Sequence, residues 1–169
     1  FTDGCIGDWA EDAFALIEWV TDGPQVLVGS SMGGWIAALV ARADPAKVAG
    51  FVGIAAAPDF TEDSMWRDFT EEERARLMET GRVDLPSDYG EPYPITKRLI
   101  EDGRQNLVLR DPLRLHVPVR LLQGTADADV ERGVALNLLD HIEGEDVRLT
   151  LVKHADHRFS SPAQLALVE

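Results

Sequence analysis

The sequence predicts an α/β fold, a mostly parallel sheet covered on both faces by helices. Three observations predict it. Apolar, strand-like runs at Gln25–Val28, Val48–Ala56, Val117–Gln123 and Val147–Lys153 alternate with helical stretches. The first run enters Gly29-Ser30-Ser31-Met32-Gly33, a Gly-x-Ser-x-Gly turn that leads directly into a helical segment. Asp127 and His157 each follow one of the later runs, giving the chain order Ser, Asp, His.

Element by element, residues 1–22 read as the tail of a loop and one amphipathic helix, with Ala13, Leu16, Ile17 and Val20 on one face. Gln25–Val28 is the first strand, and Ile36 to Arg42 continues the helix that the serine turn opens. Val48–Ala56 is a second, buried strand. The segment Pro58 to Leu115 is too long for a simple connection. Within it a helix spans Thr70–Thr80, with Thr70 as cap and Glu71 to Glu73 at its positive end. Pro86, Pro92 and Pro94 mark loop, and a second helix follows near Ile95–Arg104. Pro118–Gln123 is the third strand, Val130–His141 a helix, Val147–Lys153 the fourth strand, and Pro162 opens a last helix.

Composition fits one domain: 169 residues at 45% hydrophobic suffice for a sizeable core. No apolar run reaches the roughly 18 residues that a membrane-spanning helix requires. The single Cys5 excludes an internal disulfide and fits a reducing, cytoplasmic compartment. A net charge of -14 argues against nucleic acid and anionic membrane surfaces as partners.

The chemistry resides in the strand ends. A serine held between strand and helix sits in a strained turn, where Gly29 and Gly33 remove Cβ atoms that would clash. The helix N-terminus aims free N–H groups, that of Met32 first, at a reacting carbonyl oxygen. An imidazole must take the serine proton, and a carboxylate must fix the imidazole tautomer. Ser31, His157 and Asp127 suit these roles. Asp127 is preferred to Asp129 because Gly-x-x-Asp at a strand end is the commoner placement; His157 is preferred to His154, which follows its strand too closely to reach back. His154, Asp156 and His157 lack a convincing third metal ligand, so no metal is expected, and no organic cofactor is needed. His116 and His141 read as structural.

The stretch Asp22 to Trp35, with Val119 to Gly124 and His154-Ala155-Asp156-His157-Arg158-Phe159, resembles one branch of the α/β-hydrolase superfamily. That branch holds the mitochondrial acyl-protein thioesterase and acyl-glucuronide esterase and their bacterial relatives. The resemblance covers nearly the whole chain and implies a three-layer α/β-hydrolase fold, with Ser31 as nucleophile, Asp127 as acid and His157 as base. Gln123 stands where many relatives have His, and Glu131 where Pro commonly follows Val130. By the same resemblance residues 58–115 form a helical lid over Ser31. Trp66, Tyr89 and Tyr93 are its candidate substrate contacts, and Met65, Phe69, Leu77 and Met78 are further apolar lining. Arg67, Arg98 and Arg104 are available to an acidic substrate group, although most surface arginines are solvated or paired. Relatives place several strands before the serine turn, and none is readable here. The expectation is a partial sequence, lacking the first strands and one oxyanion donor or receiving them from another chain. An apolar edge at Gln25–Val28 would then invite self-association. The expected activity is hydrolysis of small-molecule or acyl-group esters or thioesters. The alternatives are a catalytically silent binding module, and a carbon–carbon hydrolase or perhydrolase using the same three residues.

Overall fold

The computed structural model describes residues 2–85 and 92–168. Helix α1 (Ile6–Val20) leads to β1 (Gln25–Ser30), α2 (Met32–Ala43) and β2 (Val48–Ile54). The insertion then contributes a π-helical turn (Thr61–Trp66), α3 (Glu71–Thr80), β3 (Arg82–Leu85), β4 (Tyr93–Thr96), α4 (Lys97–Gln105) and β5 (Leu113–Arg114). The chain returns through β6 (Val119–Gly124), α5 (Arg132–His141), β7 (Ile142–Glu143), β8 (Val147–Val152) and α6 (Pro162–Leu165).

Four parallel strands form the central sheet in the order β1-β2-β6-β8. Leu27, Phe51, Val119 and Val147 stand in one row across it, and residues in such a row share a face. That face carries the main core: Leu27, Phe51, Val119, Leu121 and Leu149 pack with Trp35 and Leu39 of α2 and Leu138 of α5. The indole of Trp35 is fully buried and donates to the Asn106 carbonyl at 3.0 Å, so the largest core side chain is also satisfied.

The opposite face carries less of the buried apolar surface. Among the described residues it carries a small second cluster at the carboxyl end, Leu122, Ala155 and Phe159 with Ile54, Val152 and Val168. Val26 and Val28 on the same face of the edge strand remain 60% and 56% exposed. Helix α1 also sits differently from its apolar periodicity. It docks through its first half, Ile6, Trp9, Ala10 and Ala13, while Leu16 and Val20 face outward. The reason is polar. Gly7 N–H donates to the Asp102 carboxylate at 2.7 Å and Arg98 pairs with Asp8, pinning the N-terminal half of α1 to α4.

The insertion shares the main core, to which it contributes Leu77, Val83, Ile95, Leu99, Ile100, Val108 and Leu113. Helix α3 follows its sequence signals. Thr70 and Glu73 form a reciprocal capping box, and Gly81 closes the helix at φ 80°. Pro94 and Ile95 are not loop and helix but lie in β4, antiparallel to β3; Pro94 opposes Asp84 in a two-stranded ribbon that tolerates a missing N–H donor. Helix α4 therefore starts at Lys97, capped by Thr96 through Leu99 N–H at 3.1 Å. Pro86 lies outside the described residues.

The π-helical turn was not readable in the sequence. It follows Asp59, whose φ is 57° and whose buried carboxylate accepts Val108 N–H at 2.8 Å and Leu109 N–H at 2.9 Å and meets Arg110. This ties the exit of β2 to the far end of the insertion. Burial pushes the Asp59 carboxyl above the usual carboxylate range, and its two backbone donors and Arg110 offset part of that rise.

Candidate active site

Ser31 joins β1 to α2 at φ 52°, ψ -123°, a left-handed conformation that costs a non-glycine residue on the order of 1–3 kcal/mol. Backbone hydrogen bonds hold it there. Ser31 N–H donates to Ile54 O at 2.9 Å, and Ser31 O accepts Gly34 N–H at 2.9 Å and Ala57 N–H at 3.0 Å. A Cβ on Gly29 would collide with the Gly33 carbonyl, and one on Gly34 would lie 2.5 Å from Ala56 Cβ. Gly33, expected to make the second close approach, has open space around its Cβ position. The tight packing falls one residue later, because α2 turns its Gly34 side toward the strand β2 exit.

Strand β6 ends at Gly124, and the chain turns so that the Asp127 side chain is wholly buried. Its Oδ1 accepts Asp129 N–H and Val130 N–H, both at 2.9 Å; its Oδ2 accepts Gln123 Nε2 at 2.9 Å and lies 3.0 Å from His157 Nδ1. Helix α5 begins at Arg132 rather than at Val130, because Glu131 is extended at φ -62°, ψ 143°. After β8, His154 (φ 64°) and Phe159 (φ 50°) bracket a tight loop. Buried Phe159 anchors it, and Ala155 O accepts Ala126 N–H at 3.0 Å across Gly124, where a Cβ would strike the Ala155 carbonyl. His157 projects from this loop with its side chain 21% exposed, and its Nε2 is 3.1 Å from Ser31 Oγ.

A carboxylate only accepts, so the imidazole proton sits on Nδ1 and Nε2 is left to accept from the Ser31 hydroxyl. Ser31, His157 and Asp127 are thus one hydrogen-bonded chain at the carboxyl edge of the sheet. His154 is outside it: its backbone N–H donates to Thr125 Oγ1 and its side chain is exposed. Asp129 is exposed at the mouth of the same cleft. His141 Nε2 pairs with the Asp111 carbonyl at 2.7 Å, and His116 is exposed. Donor atoms of Asp127, Asp129 and His157 lie within 4.8 Å of one another. Both Asp127 oxygens already accept N–H groups and both His157 nitrogens are engaged, so the donor set suits a proton chain better than a metal.

The cleft over Ser31 has a volume of about 630 Å³. Met32, Ala57, Phe60, Met65, Tyr93 and Val130 supply its apolar wall, and Ser64, Asp129 and Arg158 its polar rim. Trp66 is not part of it. Its indole lies in another depression, with the Arg104 and Arg74 guanidinium groups 4.4 and 5.3 Å from the ring. Tyr89 lies outside the described residues. Phe69 and Leu77 are in the core, and Met78 is exposed. Arg67, Arg98 and Arg104 pair with Asp68, Asp8 and Glu62. Sequence reasoning missed Phe60 and Gln123. A buried carboxamide amid Val119, Leu121 and Leu122 was the available signal, because such a group requires a partner.

No family model matches the chain. It is 33% identical over 168 residues to the mitochondrial palmitoyl-protein thioesterase ABHD10 of Pongo abelii, which covers 98% of this chain but 55% of that protein. The chain therefore spans about half the length of the curated relatives it matches. A crystal structure from Agrobacterium vitis S4, of a protein assigned as a hydrolase, is 44% identical and superposes with a TM-score of 0.92, covering 99% of this chain and 67% of that one. Alpha/beta hydrolase domain-containing protein 10 from mouse superposes at 0.89 with 33% identity, covering 98% and 67%. With a parallel sheet, a serine turn of this geometry and these two near-full superpositions, the chain belongs to the α/β-hydrolase family.

Proposed function

We propose that the protein is a serine hydrolase of carboxylic esters or thioesters. One observation carries this reading: the unbroken chain from Ser31 Oγ through the His157 imidazole to the buried Asp127 side chain. Ser31 Oγ attacks the acyl carbon as His157 Nε2 takes its proton, and Asp127 stabilises the imidazolium. The Met32 N–H, at the start of α2 and on the cleft wall, supplies one donor to the oxyanion. The imidazolium then protonates the departing oxygen or sulfur. Water, deprotonated by the same imidazole, releases the acyl group and restores the hydroxyl.

Phe60, Met65 and Tyr93 act as the cover over the acyl group, the part of the insertion that serves as a lid. A thioester as substrate is supported by the relative's name, palmitoyl-protein thioesterase. No described helix is long and apolar enough to cross a membrane. A reducing compartment suits buried Cys5; the cytoplasm meets that requirement, and so does the mitochondrial location in the relatives' name.

The test is a fluorophosphonate probe applied to the native full-length polypeptide, with the adduct mapped by peptide mass spectrometry. Stoichiometric labelling of Ser31, abolished in Ser31→Ala, is expected. A full-length, folded protein that takes no label would favour the binding module, and hydrolysis confined to carbon–carbon substrates would redirect the reaction class.

A further inference from the structure

We infer that Gln123 is a positioning residue that holds the Asp127 carboxylate in register with His157, an inference that rests on the hydrolase reading. Gln123 is wholly buried at the end of β6. Its Nε2 donates to Asp127 Oδ2 at 2.9 Å and to the Val130 carbonyl at 3.1 Å, and approaches the Gly124 carbonyl at 3.4 Å. Among the described residues its Oε1 is buried without a hydrogen-bond partner. The amide therefore has one usable orientation. Turned over, it would set an oxygen against a carboxylate oxygen and a carbonyl oxygen, all acceptors.

The four acceptor positions of Asp127 are then all accounted for. Two backbone N–H groups fix Oδ1 through the loop, and Oδ2 is shared between Gln123 and His157. Gln123 is the one side chain besides the imidazole that touches the carboxylate among these contacts. Without it Oδ2 keeps His157 alone of these two partners, and the imidazole loses one of the constraints on its tautomer and direction. The same amide ties Asp127 to Val130, which lines the cleft, so acid and wall move as one piece.

The experiment compares wild type with Gln123→Met, Gln123→Asn and Gln123→His in the native full-length protein. Methionine fills the space without donating, asparagine is too short to reach Asp127, and histidine restores an N–H donor. Three readouts are taken: kcat and KM on an activated acyl ester, thermal unfolding, and the downfield proton resonance of His157 Nδ1–H. Met and Asn variants are expected to lose about 10- to 100-fold in kcat with KM within about twofold, while the resonance shifts or is lost to exchange; His restores both. A folded Met or Asn variant with wild-type kcat and an unmoved resonance overturns the inference. So does a loss of kcat that only tracks the folded fraction. Should wild type itself fail to hydrolyse or label, the hydrolase reading falls, and the resonance comparison still decides whether Gln123 positions Asp127.

Discussion

Gly34 on α2 and Ala56 beyond β2 are packed so closely that a methyl group on Gly34 would stand 2.5 Å from the Ala56 Cβ. This contact sets the helix against the strand exit and so fixes where Ser31 emerges. Gly34→Ala is expected to destabilise by about 1–3 kcal/mol through overpacking. Gly33→Ala, which meets nothing, should change stability by less than about 1 kcal/mol. Urea unfolding of both variants checks the contrast. Equal changes in the two variants would show that the close approach of Gly34 to Ala56 does not decide.

Ser31 itself is expected to trade stability for chemistry. Its left-handed backbone suits glycine, so Ser31→Gly should raise stability by up to about 1 kcal/mol while removing probe labelling. Calorimetry of the variant beside wild type reads this directly, and a lowered melting temperature would show that the Ser31 hydroxyl contributes more than its backbone strain costs.

Asp127→Asn should lower kcat by about 10⁴-fold with the fold intact, because an amide can present its NH₂ to the imidazole and reverse the tautomer. Asp129→Asn should leave most of the activity, since only its backbone N–H contacts the triad acid. Steady-state kinetics separates them, and comparable losses would assign Asp129 a direct part.

Asp59 predicts a pH effect on stability. Burial raises its folded pKa above that of the unfolded chain, so at mildly acidic pH the native state binds the extra proton. The Asp59 contribution is therefore greatest below the unfolded value and declines as pH rises through the raised folded one. Denaturant midpoints across that window should show a difference in slope between wild type and Asp59→Asn. The asparagine also leaves Val108 N–H or Leu109 N–H without an acceptor, at about 1–3 kcal/mol.

The exposed valines of β1 predict concentration-dependent self-association of this chain, weakened in Val26→Thr/Val28→Thr. Sedimentation velocity over a hundredfold concentration range tests it. A monomer throughout would remove the expectation.

The four strands of the central sheet and the positions of Ser31, Asp127 and His157 at strand ends are readable in the sequence because each follows an apolar run broken by Gly or a polar turn. Helix α3 is readable to the residue because its capping signals are local: Thr70, Glu73 and Gly81 act within a few positions of one another. What escapes is set by distant partners. Asp59 bends the chain through Val108 and Leu109, about fifty residues on, and nothing in its neighbours announces a π-helical turn. Pro94 reads as loop until its partner Asp84 is known. Trp66 has the chemistry of a substrate contact, but Arg74 and Arg104 claim its ring. Gln123 reads as a neutral departure from a motif, and only the distance to Asp127 gives it a task.

Phe159 and Ala155 seat the His157 loop in a small cluster of their own, apart from the main core that α2 and the insertion share. His157 and Ser31 thus rest on foundations of unequal strength. A local opening that frees Phe159 would withdraw the imidazole while the sheet, the helices and Ser31 stay in place. Heat or denaturant should therefore silence the protein before it melts, and that early silence should reverse on cooling, because nothing in the principal core has yet come apart.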